Sequence, residues 1–376
     1  MNNFYIENNL SGLKRENFQG IIQGKKTDLY ILKNKSGCEI ATTNFAGALL
    51  SIMMPDRNGK MASVVMGHDS LENVMNSKEE FLSTLIGRYG NRIAAGKFTL
   101  DGKQYSVALN NGVNHLHGGP TGFHKRVWDA EQIDQQTLKL HYTAADGEEG
   151  FPGTLSIDVT YKLTDNNEFV IEYEATTDKK TILNLTQHAY FNLNGMRKDT
   201  PSVLDYDLTL NADHYIPIDD TAIPLGTIDS VEGTAFDFRT PHKVGERIES
   251  SQQTANGNGY DHCWVLNKRE PGELSFAAKC YDSESGRYLE CYTTEPGVQV
   301  YSGNYCTSQI YPPTPPTPNM ATLALFSFSI PSSPIRGRVR SSKLMAFSFL
   351  KRIYGINHSR IVFFIVRSIT LPPCRC

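Results

Sequence analysis

Phe98-Thr99-Leu100-Asp101-Gly102-Lys103-Gln104-Tyr105-Ser106-Val107-Ala108-Leu109 is the stretch on which the fold class turns. Phe98 and Leu100 alternate with polar neighbours, and Tyr105, Val107 and Leu109 do the same beyond Asp101-Gly102. A period of two places alternate side chains on one face of an extended chain. Asp-Gly suits a two-residue type I′ turn, because both central positions need a positive φ that Asp tolerates and Gly adopts freely. The stretch therefore predicts a β-hairpin.

Further along the chain the same pattern repeats at greater length. Leu155, Ile157, Val159, Tyr161 and Leu163 alternate up to the turn Asp165-Asn166-Asn167-Glu168, and Phe169, Ile171, Tyr173 and Ala175 alternate after it. More strand-like runs surround Leu29 to Leu32, Leu204 to Leu210 and Tyr288 to Tyr301, while helix-period segments of useful length are missing. Strands with one apolar side must bury it against another sheet. The expectation is an all-β protein, a large antiparallel β-sandwich.

Composition agrees with a folded protein: 39% of residues are hydrophobic and 20% charged. The first residues, Met1 to Asn8, lack a basic stretch followed by an apolar run, so no secretory leader is expected and the cytoplasm is favoured. Seven scattered cysteines without a CxxC pair fit reduced thiols better than a disulfide framework. The net charge of -3 conceals an asymmetry, since no Asp or Glu follows Glu295 while Arg336, Arg338, Arg340, Lys343, Lys351, Arg352, Arg360, Arg367 and Arg375 all do. The preceding part is thus more acidic than the whole chain, and a nucleic-acid partner for it has no electrostatic support.

The chain changes character near Cys306. Tyr311-Pro312-Pro313-Thr314-Pro315-Pro316-Thr317-Pro318 favours an extended polyproline form and is denied a place inside a sheet. Residues 306–376 are accordingly separated from a β-sandwich domain at 1–305. Ile361-Val362-Phe363-Phe364-Ile365-Val366 is followed by Arg367 and is far shorter than the ~20 residues of a membrane helix. Out-of-frame translation or a fusion scar is the economical reading of this Pro/Ser/Arg-rich tail, which is expected to be poorly ordered.

Three polar clusters interrupt the apolar alternation: Gly87-Arg88-Tyr89-Gly90-Asn91-Arg92-Ile93, Asn114-His115-Leu116-His117-Gly118-Gly119-Pro120-Thr121-Gly122-Phe123, and Asn184-Leu185-Thr186-Gln187-His188-Ala189-Tyr190-Phe191-Asn192-Leu193. An arginine fork beside an Asn amide offers several donors to hydroxyl groups, and glycines let backbone approach a ligand. Histidine, with an ordinary pKa of ~6.5, exchanges protons near neutrality. The plain alternative is a hydrogen-bonded structural role for each histidine. Metal chemistry is another: His115 and His117 share a face if extended, and with His188 they match the three-histidine set of zinc enzymes.

Taken together with Lys97 to Gly102, Trp128, Gly259-Tyr260-Asp261-His262 and Pro296-Gly297-Val298-Gln299-Val300-Tyr301, these clusters occur in the order seen in galactose mutarotases. From about residue 20 to 305 the chain resembles the aldose 1-epimerase (galactose mutarotase) family. The resemblance implies a galactose mutarotase-like supersandwich and interconversion of the α and β anomers of a free hexose without metal or redox cofactor. It implies His188 as general acid on the ring oxygen, His117 assisting at the reactive end, and Asn91, Arg92, Asp261 and Gln299 holding hydroxyls. The partner is then a small aldohexose such as galactose or glucose.

One departure matters. The family's base is a glutamate downstream of the Pro-Gly-x-Gln stretch, and no acidic residue follows Glu295 here. Impaired catalysis is expected, with a non-catalytic sugar-binding protein as the alternative and a His-ligated zinc enzyme as a further one.

Overall fold

The computed structural model describes residues 8–196, 201–305, 324–328 and 359–367, the last two segments as backbone. The polyproline run at 311–318 and most of the tail lie outside them.

The deciding hairpin forms as the sequence predicts. Lys97–Leu100 pairs antiparallel with Lys103–Ser106 in the register Leu100 to Lys103, and both turn residues have positive φ, 49° at Asp101 and 77° at Gly102. The second strand is shorter than expected. It ends at Ser106, and Leu109 is exposed because the chain turns there into the loop around Gly112.

Leu155–Leu163 pairs with Glu168–Thr177 over nine positions, Leu163 opposite Phe169. Leu155, Ile157, Val159, Tyr161 and Leu163 are all buried, with the less buried residues between them. Two other expectations are corrected. Val203–Asp205 forms a 3-10 turn, so the strand near Leu210 spans only Asp207–Leu210. The Tyr288 to Tyr301 run divides into Tyr288–Thr293 and Gly297–Tyr301, which join different sheets across the break before Pro296, a residue with no N–H to offer a ladder.

Nine strands make the largest sheet, in the order Asp129–Gln132, Thr137–Ala144, Leu155–Leu163, Glu168–Thr177, Ser359–Arg367, Tyr288–Thr293, Ser275–Tyr281, Asp207–Leu210 and His242–Lys243. A five-stranded sheet (Asp229–Ser230, His214–Ile216, Asp261–Val265, Gly297–Tyr301, Ala324–Phe328) and a four-stranded one (Leu29–Lys33, Glu39–Thr43, Leu49–Pro55, Met61–Ser63) provide the opposing faces. Ile40 and Ile52 of the four-stranded sheet, Trp264, Val298 and Val300 of the five-stranded sheet, and Leu140, Ile157, Tyr161 and Ile171 of the large sheet share one apolar core. Fully burying each such aliphatic or aromatic side chain contributes ~1.5–3 kcal/mol. Helix is limited to single turns such as Leu71–Met75 and Gln252–Asn256 among the described residues. The architecture is the antiparallel sandwich expected from the alternation.

The backbone of the acid-free segment Ser359–Arg367 lies between Glu168–Thr177 and Tyr288–Thr293, and Ala324–Phe328 extends the sheet beside Gly297–Tyr301. Both strand edges are thereby paired at backbone level.

Arg287 ties the layers together from a buried position. Its five N–H groups reach the carbonyls of Met54, Pro55, Lys60, Leu193 and Asn194 at 2.9–3.2 Å. Leaving buried acceptors unpaired costs ~1–3 kcal/mol each. Arg287→Ala is expected to lose about 4 kcal/mol in urea unfolding with an unchanged m value, and Arg287→Lys, with three donors, an intermediate amount. A loss below about 1 kcal/mol for the alanine variant would show that these carbonyls find other partners.

Candidate active site

Short backbone ladders bring the three polar clusters together. Arg92–Ile93 pairs with His115–Leu116, which places His117 beside Asn91, and Leu85–Ile86 pairs with Thr186–Gln187, which delivers His188 to the same place. Gly118 makes the approach possible: its φ is +86°, and a Cβ there would stand 1.9 Å from the Gly87 carbonyl oxygen.

His117 and His188 meet with ring centroids 5.1 Å apart and planes at 86°. Phe81 packs its edge on His117 at 4.7 Å, while Tyr190 and Tyr301 lie 4.9 and 6.4 Å from His188. The Asn91 backbone N–H donates to His117 Nδ1 at 3.0 Å, and the His117 N–H donates back to the Asn91 carbonyl at 3.1 Å. Because Nδ1 is an acceptor, the neutral His117 ring carries its proton on Nε2. Burial, reinforced by His188 and Arg92, holds His117 well below the usual imidazole range, and burial pushes His188 down to about 3. Both rings are neutral at pH 7.

The polar half of the site lies on the five-stranded sheet. Val298 and Val300 enter the core, so Gln299 faces the other way, as its alternation predicts. The Gln299 amide donates to Asp261 Oδ1 at 2.8 Å, and Arg92 Nη1 stands 3.5 Å from Asp261 Oδ2. Gln299 Oε1 is buried and accepts no hydrogen bond among the described residues, so it is free in geometry to accept from a hydroxyl. Tyr301, on the same face two residues on and directly opposite Asp261, links this half to His188.

All six residues singled out from the sequence, His117, His188, Asn91, Arg92, Asp261 and Gln299, are thus brought together by direct contacts or through one another. Arg88 is not part of this cluster: its guanidinium donates to the carbonyls of Pro152 and Gly153 and to Thr181. His115 turns aside as well, because the left-handed φ of 52° at His117 breaks the extended run that would have aligned the two rings. Its Nδ1 lies 2.7 Å from the Ala108 carbonyl and its ring packs on Phe151. Among the described residues no group of three His, Cys, Asp or Glu side chains is arranged to hold a metal ion.

Sequence reading missed three neighbours. Phe81 carries no signal in its own segment. His124, buried and with neither ring nitrogen hydrogen-bonded among the described residues, packs 4.7 Å from Phe81; its position just after the glycines was the available clue. Asn111 accepts from Arg92 Nε at 3.0 Å. No helix among the described residues is long and apolar enough to cross a membrane.

The antiparallel sandwich places the chain among the galactose mutarotase-like β proteins. Two solved structures share that fold: the GalM/aldose epimerase homologue from C. elegans, with a TM-score of 0.75, 27% identity and coverage of 91% of this chain and 99% of that one, and galactose 1-epimerase from Lactobacillus acidophilus, with a TM-score of 0.76, 24% identity and coverage of 94% and 97%. The family model for aldose 1-epimerase matches residues 28–331. Galactose mutarotase of Bos taurus is 42% identical over 257 residues, covering 68% of this chain and 72% of the relative, and aldose 1-epimerase of Escherichia coli K12 is 37% identical over 312 residues, covering 83% and 88%. The chain belongs to the aldose 1-epimerase family, a family of isomerases.

Proposed function

We propose that the site binds a free aldohexose, galactose or glucose, and is built for the acid half of anomer interconversion. The observation that carries this reading is the contact of two imidazoles from remote strands, 5.1 Å apart, beside an Arg-Asp-Gln set able to hold hydroxyls. In the reaction a base takes the proton of the anomeric hydroxyl, an acid protonates the ring oxygen, and the C1–O5 bond breaks to give the open aldehyde. Rotation about C1–C2 exposes the other carbonyl face, and the reverse transfers close the opposite anomer. His188 is the acid, His117 donates its Nε2 proton at the reactive end, and Asn91, Arg92, Asp261 and Gln299 orient the ring.

We propose further that this chain is slow in that reaction. With no acidic residue after Glu295, the tail supplies no carboxylate for the anomeric proton. Such a carboxylate would have a second effect: its charge would stabilise a protonated imidazole, whereas burial alone keeps His188 neutral at pH 7 and therefore a poor acid. Glu295 cannot replace it, since it precedes the Gln299 strand and stands by Thr293 and Lys268. The break near Cys306, with a tail read in another frame, is part of the same proposal and is checked by re-reading the coding DNA at codons 304 to 309. Four buried cysteines without disulfides, Cys38, Cys263, Cys280 and Cys291, support a cytoplasmic setting.

Calorimetric titration with galactose and glucose tests the binding claim. Saturable binding is expected, weakened about tenfold or more by Arg92→Ala, which removes a charged hydroxyl donor. Absence of saturable binding by the folded wild-type chain to either sugar sinks the reading.

A further inference from the structure

Two consecutive asparagines precede the His115–Leu116 strand. Asn110 clamps it, accepting from the Leu116 N–H at 2.8 Å and donating to the Leu116 carbonyl at 2.9 Å. Asn111 reaches the other way, to Arg92. Its backbone exchanges two 3.0 Å hydrogen bonds with that of Asn114, closing a tight loop over Gly112 and the exposed Val113. Asn114 is buried and accepts from the Ala95 N–H at 3.0 Å, so the loop is anchored at its base. Asn111 Oδ1 is therefore held at a set place although its loop tip is open to solvent.

Arg92 needs such a fixed point. A guanidinium presents five N–H groups in one plane, and its orientation is determined only when two of its nitrogens are held. Asp261 holds Nη1 at 3.5 Å, a loose contact that permits rotation about it. The 3.0 Å bond from Nε to Asn111 supplies the second point and leaves the remaining Nη hydrogens for a ligand.

We infer that Asn111 is a positioning residue that sets the plane of the Arg92 guanidinium for hydroxyl recognition. The inference rests on the proposal that this site binds an aldohexose. Asn111→Ala removes the acceptor and lets the guanidinium pivot; Asn111→Asp keeps an acceptor in the same place.

Galactose titration of both variants provides the first test. Asn111→Ala is expected to raise the Kd about tenfold, and Asn111→Asp to stay within about threefold of wild type. Adding Asn111→Ala to Arg92→Ala should change nothing more, because the residue acts through Arg92. Equal weakening by alanine and aspartate, or a full further loss in the Arg92→Ala background, overturns the inference. The second readout needs no sugar: in ¹⁵N-arginine-labelled protein, the Arg92 Nε–H signal, assigned by its loss in Arg92→Lys, should exchange slowly with solvent in wild type and in Asn111→Asp but rapidly in Asn111→Ala. If wild type binds no sugar while the exchange pattern holds, the function is wrong and the positioning stands; if sugar binds but the three proteins exchange alike, the positioning is wrong.

Discussion

Fresh α-galactose mixed with this chain should change its optical rotation no faster than in buffer, and a chimera carrying a family-type carboxyl-terminal segment with its glutamate should accelerate the decay by about 10²- to 10⁴-fold. The expected size is that of one proton-transfer group. A carboxylate restored beside the imidazole pair takes the anomeric proton and also favours a charged His188, which is otherwise held down to about 3 by burial. His188→Asn in the chimera should then return the rate toward the buffer value, and Arg92→Ala should act mainly on KM. A wild-type chain that already equilibrates galactose enzymatically would defeat the claim of a missing base. A folded chimera that fails to accelerate the decay would defeat the assignment of the site.

Acid should unfold the protein well before its carboxylates are protonated. Burial pushes the imidazoles of His124, His188 and His262 down to about 3 and that of His68 to about 4. All four are buried. In the unfolded chain each takes up a proton near pH 6.5, whereas in the native protein it stays neutral, so below 6.5 the unfolded state binds more protons. Stability is then fully present above 6.5 and falls with pH down toward 3–4, by about 1.4 kcal/mol per pH unit for each histidine. Between pH 6.5 and 5 the four together remove several kcal/mol, a large part of an ordinary ΔG of about 5–15 kcal/mol. Urea midpoints at pH 7.5, 6.0 and 5.0 should drop steeply, and His262→Gln should flatten the slope by one proton's share. Midpoints that hold constant from 7.5 to 5.0 would mean that these rings are charged or solvated in the native state.

Much of this protein was legible in the order of its residues. A period of two with an Asp-Gly turn specifies its hairpin down to the register, because side-chain alternation and turn chemistry are local properties. The orientation of Gln299 followed from the same rule, since its neighbours Val298 and Val300 must enter the core. The absence of a carboxylate after Glu295 is likewise a fact of sequence alone. Local rules failed where the chain leaves extended geometry: the left-handed turn at His117 separated His115 from it, and the break before Pro296 split one apparent strand between two sheets.

Only the tertiary structure decided which polar groups meet. His117 and His188 are 71 positions apart in the numbering yet in ring contact, and Arg92 reaches Asn111 on one side and Asp261 on the other. Strand pairing brings distant segments to neighbouring places, and no local periodicity encodes which strand will be the neighbour. Protonation was equally illegible. A histidine's charge depends on how much water it loses and which groups surround it, and both are set only once the sheets have closed over it.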